Sequence, residues 1–211
     1  VFKCEICLMQ ILLVCATEME MGNLRIRYPN LDVLLTGVGA PQTCFQLTRR
    51  LHQMDYDWVI QVGIAGVFDQ PESMGAAFLV SRDCFADLLL IDEVSAQTIY
   101  EAGLAEADEY PFNSGWLNNP HLSLLPDLFP QASSITVNTV TGEASVNKRH
   151  AQKFGATLES MEGAALHYVC RQLDVPFLQI RGVSNRVGDR NKANWKITEA
   201  LQASYALLDR V

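Results

Sequence analysis

The stretch Leu158-Glu159-Ser160-Met161-Glu162-Gly163-Ala164-Ala165 passes from a short strand into a helix and leaves a carboxylate at the junction. Open α/β sheets present their ligands at such carboxyl edges, and the small residues after Glu162 let the helix pack closely on the sheet. An ordinary first-turn glutamate, favoured by the helix dipole, would look the same in isolation. Glu162 is not isolated: polar residues recur at other expected strand ends, as Glu20, Gly37, Gly63, Glu143, Arg181 and Asn185. Carboxylates accept protons and hydrogen bonds, a guanidinium pairs with them, and glycine admits close backbone approach. Ionisable groups gathered at one sheet edge from distant parts of the chain define a candidate site.

The elements that must position them follow from hydropathy and punctuation. Ile11 to Ala16 is a continuous apolar run, as a parallel strand covered on both faces requires. Residues 22 to 30 are polar and turn-like. Leu31 to Leu35 reads as a second strand ending in Thr36-Gly37-Val38-Gly39, and Pro41 to Met54 as a helix with proline in its first turn. Trp58 to Val62 is a third strand running into Gly63-Ile64-Ala65-Gly66. Ala76 to Ser81 and Leu88 to Ile91 continue the sheet, and residues 101 to 120 form a long surface loop. Ser134 to Val140 is a further strand, then come a helix from Val146 to Phe154, the strand before Glu162 and a helix to Leu173. Val175 to Ile180 is the last strand, ending at Arg181-Gly182-Val183-Ser184-Asn185, and a final helix covers about Ala193 to Arg210. Alternating strands and helices imply an α/β fold with a mostly parallel sheet.

With 211 residues, 49% hydrophobic, the chain fits one globular domain. A net charge of −8 and a pI near 4.9 leave no basic stripe, which argues against nucleic-acid partners and anionic membrane surfaces. Six cysteines, mostly in apolar segments, suit reduced buried thiols of a cytoplasmic enzyme. Cys4-Glu5-Ile6-Cys7 lacks a second ligand pair, so no metal is expected. Ile6 to Ala16 is too short to span a bilayer and lacks a small-residue cleavage pattern, so it reads as a buried strand. Residues 1 to 9 are an extension or the start of that strand, and 10 to 211 the domain.

Four motifs, Ala16-Thr17-Glu18-Met19-Glu20, Gly63-Ile64-Ala65-Gly66, Ser160-Met161-Glu162-Gly163-Ala164-Ala165 and Arg181-Gly182-Val183-Ser184-Asn185, resemble in this order those of the nucleoside phosphorylase and nucleosidase superfamily. Within it the chain is similar to methylthioadenosine/S-adenosylhomocysteine nucleosidases and, more closely, to futalosine hydrolases of the menaquinone pathway. The resemblance implies a single-domain, three-layer αβα fold with a mixed central sheet. It also implies a homo-oligomer and N-ribosidic hydrolysis with neither metal nor organic cofactor.

By that resemblance Glu20 orients and deprotonates a water, Glu162 accepts the ribose hydroxyls with Met161 against the sugar, and Arg181 holds Glu162 ionised. Ile64, Ala65 and Gly66 line the substrate site, and Ala144, Ser145 and Val146 the base pocket. Ser145 stands where adenine-cleaving relatives carry a stacking aromatic. Gln61 and Ile64 replace the Arg and Ser that hold phosphate in phosphorolytic relatives, which favours water as nucleophile. Asn185 occupies the position of an Asp in adenine-specific enzymes; its amide can donate to O6 or N7 of a 6-oxopurine such as hypoxanthine.

Methylthioadenosine or aminofutalosine cleavage is the nearest alternative, and a non-catalytic purine-nucleoside binding protein a more distant one. A dinucleotide-binding domain is excluded by the missing G-x-G-x-x-G. Phe112 and Trp116 are candidates for contact with a neighbouring subunit, and His121, Arg186, Arg190 and Lys192 for the carboxyphenyl end of futalosine.

Overall fold

The apolar run before Thr17 becomes β1 (Ile11–Cys15), with its last four residues buried. The computed structural model describes residues 9–92, 95–126 and 128–211, so the Cys4/Cys7 pair and most of the stretch from 1 to 9 lie outside the described residues. Two single turns follow, α1 (Glu18–Met21) and α2 (Leu24–Arg27), then β2 (Asp32–Leu35), α3 (Ala40–Leu51) and β3 (Trp58–Val67). The middle of the chain supplies β4 (Ala77–Asp83), β5 (Leu89–Ile91), β6 (Ala96–Thr98) and β7 (Leu117–Asn118). β8 (Gln131–Thr136), α4 (Ala144–Phe154), β9 (Leu158–Ser160), α5 (Gly163–Gln172), β10 (Phe177–Arg186) and α6 (Ile197–Leu208) complete it.

β3 is the axis of the sheet. It pairs in parallel with β1 through its first residues and with β10 along its whole length, while its end meets β9 antiparallel. β4 joins β10 antiparallel and β8 in parallel, and β8 joins β9 in parallel. These pairings return to β3, so the strands bearing the site curve round one end of the sheet, while β1 and β2 extend it as an open edge.

Strand alternation sorts the core into two faces. Leu13, Ile60, Val62, Leu178 and Ile180 face α6 through Leu201, Tyr205, Leu207 and Leu208. Their neighbours Leu12, Val14, Val59 and Phe177 pack with Leu47 of α3 and with Leu166, Val169 and Cys170 of α5. Each fully buried leucine or phenylalanine contributes about 1.5–3 kcal/mol relative to exposure, so these helices are held by their apolar stripes. Among the described residues no helix is long and apolar enough to cross a membrane.

Several expectations are corrected. β5 leaves the main sheet and, among the described residues, pairs only with β6. The turn-like stretch 22 to 30 contains α2, whose buried Leu24 anchors it. β8 ends at Thr136 rather than Val140. β3 and β10 run through the glycine-bearing segments expected to end them, because their mutual ladder continues from Arg181↔Gly63 to Arg186↔Val67. α6 starts at Ile197, after a short 3₁₀ turn over residues 192 to 194.

Candidate active site

Glu20 sits on α1 immediately after β1, held in a capping box. Thr17 Oγ1 accepts the Glu20 N–H at 3.2 Å while the Glu20 carboxylate accepts the Thr17 N–H at 3.1 Å. Oε2 also meets Ala16 N–H and Thr17 Oγ1, both at 3.2 Å, whereas Oε1 meets one donor, Ile64 N–H at 3.0 Å. A carboxylate has about four acceptor sites, two on each oxygen, so Oε1 keeps an open one. Glu20 is only 5% exposed and borders a cavity of about 380 Å³.

Glu162 enters the same cavity from the N-cap of α5, but its side chain does not cap that helix. Ser160 Oγ accepts the Gly163 N–H at 3.3 Å and Thr136 Oγ1 accepts the Ala164 N–H at 2.7 Å, which frees the Glu162 carboxylate. Its Oε1 accepts the Gly39 N–H at 3.1 Å and its Oε2 lies 3.5 Å from Arg181 Nη1. Burial pushes the Glu162 pKa up, and the nearby Glu20 charge adds to this; Arg181 and the Gly39 N–H oppose it.

Arg181 does not reach the cavity. It is 1% exposed, behind Glu162, with Nη2 donating to Gln61 Oε1 at 2.8 Å. From there its Nη1 faces Glu162 Oε2, in position to orient that carboxylate. Gly63 explains how these groups fit: a Cβ there would fall 2.3 Å from Arg181 Nη1 and 2.8 Å from Glu20 Oε1.

The cavity also gathers Ile64, Ala65, Gly66, Met161, Ser184 and Asn185. Asn185 has its amide fixed, with Nδ2 donating to Arg186 O at 2.8 Å and Oδ1 accepting from Ser184 Oγ at 2.7 Å. One Nδ2 hydrogen remains. Ala144, Ser145 and Val146 are not brought to the cavity; they form the first turn of α4, with Ser145 Oγ bonded to Glu143, and Val140 and Thr141 line that wall.

Of the cationic and imidazole candidates, Arg190 and Lys192 line the cavity beside Trp195, and Arg186 does not. His121 packs against Trp58 and Phe177 at the opposite ends of the strands. Phe112 and Trp116 pack within their own chain, Phe112 between Tyr100 and Tyr168 and Trp116 against Phe154 and Arg82. Reading the residues missed Gly39 as a Glu162 donor, Gln61 as the Arg181 partner, and Thr136. Thr17 three residues before Glu20 was a legible capping signal for a clamped carboxylate.

The arrangement offers an acceptor with one open site, a second buried carboxylate facing the cavity, and a donor on Asn185. The chain belongs to the phosphorylase superfamily, whose family model matches residues 25–211. Among curated proteins it is 32% identical to a futalosine hydrolase of Streptomyces coelicolor, over 82% of this chain and 74% of that one. It is 29% identical to a futalosine hydrolase of Thermus thermophilus, over 81% of this chain and 76% of the relative. In fold it superposes on a futalosine hydrolase mutant of Helicobacter pylori with a TM-score of 0.78, covering 96% and 97% of the two chains at 13% identity.

Proposed function

We propose that this protein hydrolyses the N-ribosidic bond of futalosine, releasing hypoxanthine and dehypoxanthine futalosine for menaquinone biosynthesis. The curated futalosine hydrolases support the substrate, each matched over about three quarters of its length. The observation that carries the chemistry is the pair of buried carboxylates, Glu20 and Glu162, facing one cavity with a single guanidinium behind them. The two carboxylates lie at the same end of the cavity, where they favour the cationic character that develops on the sugar.

In this reading the open site of Glu20 Oε1 receives a water and takes its proton as the water oxygen bonds to C1′ and the C1′–N9 bond breaks; the electron pair leaves on the base, which gains a proton from solvent to become hypoxanthine. Glu162 accepts the ribose hydroxyls, Met161 packs on the sugar, and Arg181 with Gln61 holds Glu162 in place. The remaining Asn185 N–H donates to the hypoxanthine edge, whose O6 and N7 are both acceptors. Ile64, Ala65 and Gly66 form the wall between sugar and base. The exposed apolar side chains Met19, Val38 and Val140 at the cavity rim support a homo-oligomer in which a second copy covers the mouth. The free, buried thiols of Cys15, Cys84 and Cys170 support a cytoplasmic setting.

The test is incubation with futalosine, aminofutalosine, methylthioadenosine and inosine, with and without phosphate, followed by chromatography of the released base. Hypoxanthine from futalosine, independent of phosphate, is expected. Asn185→Asp should lower the ratio of 6-oxopurine to 6-aminopurine cleavage, and an unchanged ratio would remove Asn185 from base recognition.

A further inference from the structure

Beneath α5 lies a polar cluster that the proposed reaction does not use. Asp83 at the end of β4, His167 on α5 and Gln179 on β10 are all fully buried. Asp83 Oδ1 accepts from Thr136 Oγ1 at 2.9 Å and from the Cys84 N–H at 2.8 Å, while Oδ2 lies 3.2 Å from Gln179 Nε2. Thr136 is the residue that also accepts the Ala164 N–H, so the cluster is bonded to the first turn of the helix that Glu162 begins. It touches the backbone there as well: a Cβ on Gly163 would come within 2.2 Å of Asp83 Oδ2 and 2.1 Å of Gln179 Nε2.

Counting hydrogens exposes a mismatch. His167 Nδ1 lies 2.8 Å from the Leu117 carbonyl oxygen, so Nδ1 carries a hydrogen. Its Nε2 faces Gln179. With the Gln179 NH₂ turned toward Asp83, Gln179 Oε1 and His167 Nε2 are two buried acceptors without a donor. Two arrangements remove the mismatch. Either His167 is an imidazolium donating to Oε1, or the isosteric amide is turned over, with Asp83 Oδ2 protonated and donating to Oε1 while Nε2 donates to His167. Both need one proton beyond an aspartate anion and a neutral imidazole.

We propose that this proton resides on Asp83, and that the neutral chain Asp83–Gln179–His167 is a positioning device that fixes Thr136, the start of α5 and through them Glu162. The inference rests on the reading of Glu162 as the ribose-binding carboxylate. Around Asp83 stand Thr136 from β8, Gln179 and Arg181 from β10, and Cys84 next in the chain, with His167 of α5 beyond Gln179. Burial pushes Asp83 up to about 6 and His167 down to about 4, and both directions move the proton from imidazole to carboxyl. Arg181 opposes protonation of both groups, and Gln179 and Thr136 as donors also favour the Asp83 anion. Turning the amide withdraws the Gln179 donor and substitutes an acceptor, which favours the acid further.

The experiment compares Asp83→Asn with Asp83→Ala and follows His167 by nitrogen-15 NMR, assigned by its loss in His167→Gln. Asparagine reproduces the protonated aspartate: Oδ1 accepts from Thr136 and Cys84, and Nδ2 donates to Gln179. Expected are futalosine kinetics within about threefold of the parent for Asp83→Asn. For Asp83→Ala, a loss of roughly 30-fold or more in kcat/KM, carried mainly by KM, is expected from displacement of Glu162. His167 should remain the neutral Nδ1–H tautomer from about pH 5 to about pH 8. An imidazolium at neutral pH, or Asp83→Asn as damaged as Asp83→Ala, overturns the proposal. Should the parent protein not cleave futalosine, the functional reading fails, while the carbon-13 shift of the Asp83 carboxyl carbon at neutral pH, assigned by its loss in Asp83→Asn, still reads the proton directly: a carboxylic-acid shift is expected, and a carboxylate shift overturns the proposal even if Asp83→Ala does not fold.

Discussion

Gly63→Ala is the substitution that most directly probes how the site is assembled. The added methyl carbon would lie 2.3 Å from Arg181 Nη1 and 2.8 Å from Glu20 Oε1. Ordinary contacts need about 3.5 Å, so the guanidinium must retreat by about 1 Å. It has nowhere to go: Arg181 is buried, tied to Gln61 at 2.8 Å and paired with Glu162, and the Glu20 carboxylate is held by four donors. Overpacking of this kind costs about 1–3 kcal/mol, and at about 2–4 °C per kcal/mol for a chain of this size Tm should fall by roughly 2–12 °C. A displacement of about 1 Å at reacting groups costs on the order of a hundredfold in rate. Thermal unfolding followed by circular dichroism, with initial rates of hypoxanthine release, measures both. If Gly63→Ala keeps Tm within about 1 °C and kcat/KM within about twofold, the close approach of Glu20 and Arg181 is not what that glycine serves.

Glu20→Gln should lower kcat by roughly a hundredfold to ten-thousandfold with little change in KM, since the amide cannot take a proton from water; steady-state kinetics separates the two constants. Arg181→Lys should raise KM about tenfold while kcat changes less, because an ammonium cannot serve Gln61 Oε1 and Glu162 together. Isothermal titration with a non-hydrolysable nucleoside would show the same loss as weaker binding. Glu162 works as the anion, and burial raises its pKa, so activity is present above that value and is lost as pH falls through it. The acid limb of kcat/KM therefore lies at higher pH than an ordinary glutamate would give, and a limb at the ordinary glutamate position would contradict this assignment.

Apolar runs identify β1, β3 and β10 in the sequence because buried parallel strands tolerate little else; Glu20 and Asn185 are legible as polar residues towards the ends of β1 and β10, and Glu162 as the carboxylate between the short β9 and α5. How deep each side chain lies is not legible. Arg181 looks equivalent to its neighbours in the sequence, yet the register Arg181↔Gly63 sets it beneath Glu162. The same ladder explains why Gly63 and Gly182 do not break their strands: they are needed for side-chain and helix approach rather than for a turn. Ser145 lies off the cavity because it sits exposed in the first turn of α4, with its hydroxyl turned to Glu143. Leu88 to Ile91 had the hydropathy of a sheet strand, but pairing partners are a property of the whole topology. Asp83 is a lone acid at the end of an otherwise mostly apolar strand, which is the pattern in the residues that marks a buried carboxylate there.

Tyr205 of α6 donates its hydroxyl to the Glu20 carbonyl at 2.8 Å across 185 residues, and the Ala200 carbonyl rests where a Cβ on Gly182 would be. One late helix therefore braces both the earliest carboxylate of the site and the strand that carries Arg181 and Asn185. For a chain emerging from a ribosome this sets an order of events. Every side chain of the site is outside the exit tunnel before α6 is, but the first carboxylate and the last strand acquire their common support only when α6 docks. Activity should thus appear late and all at once during synthesis.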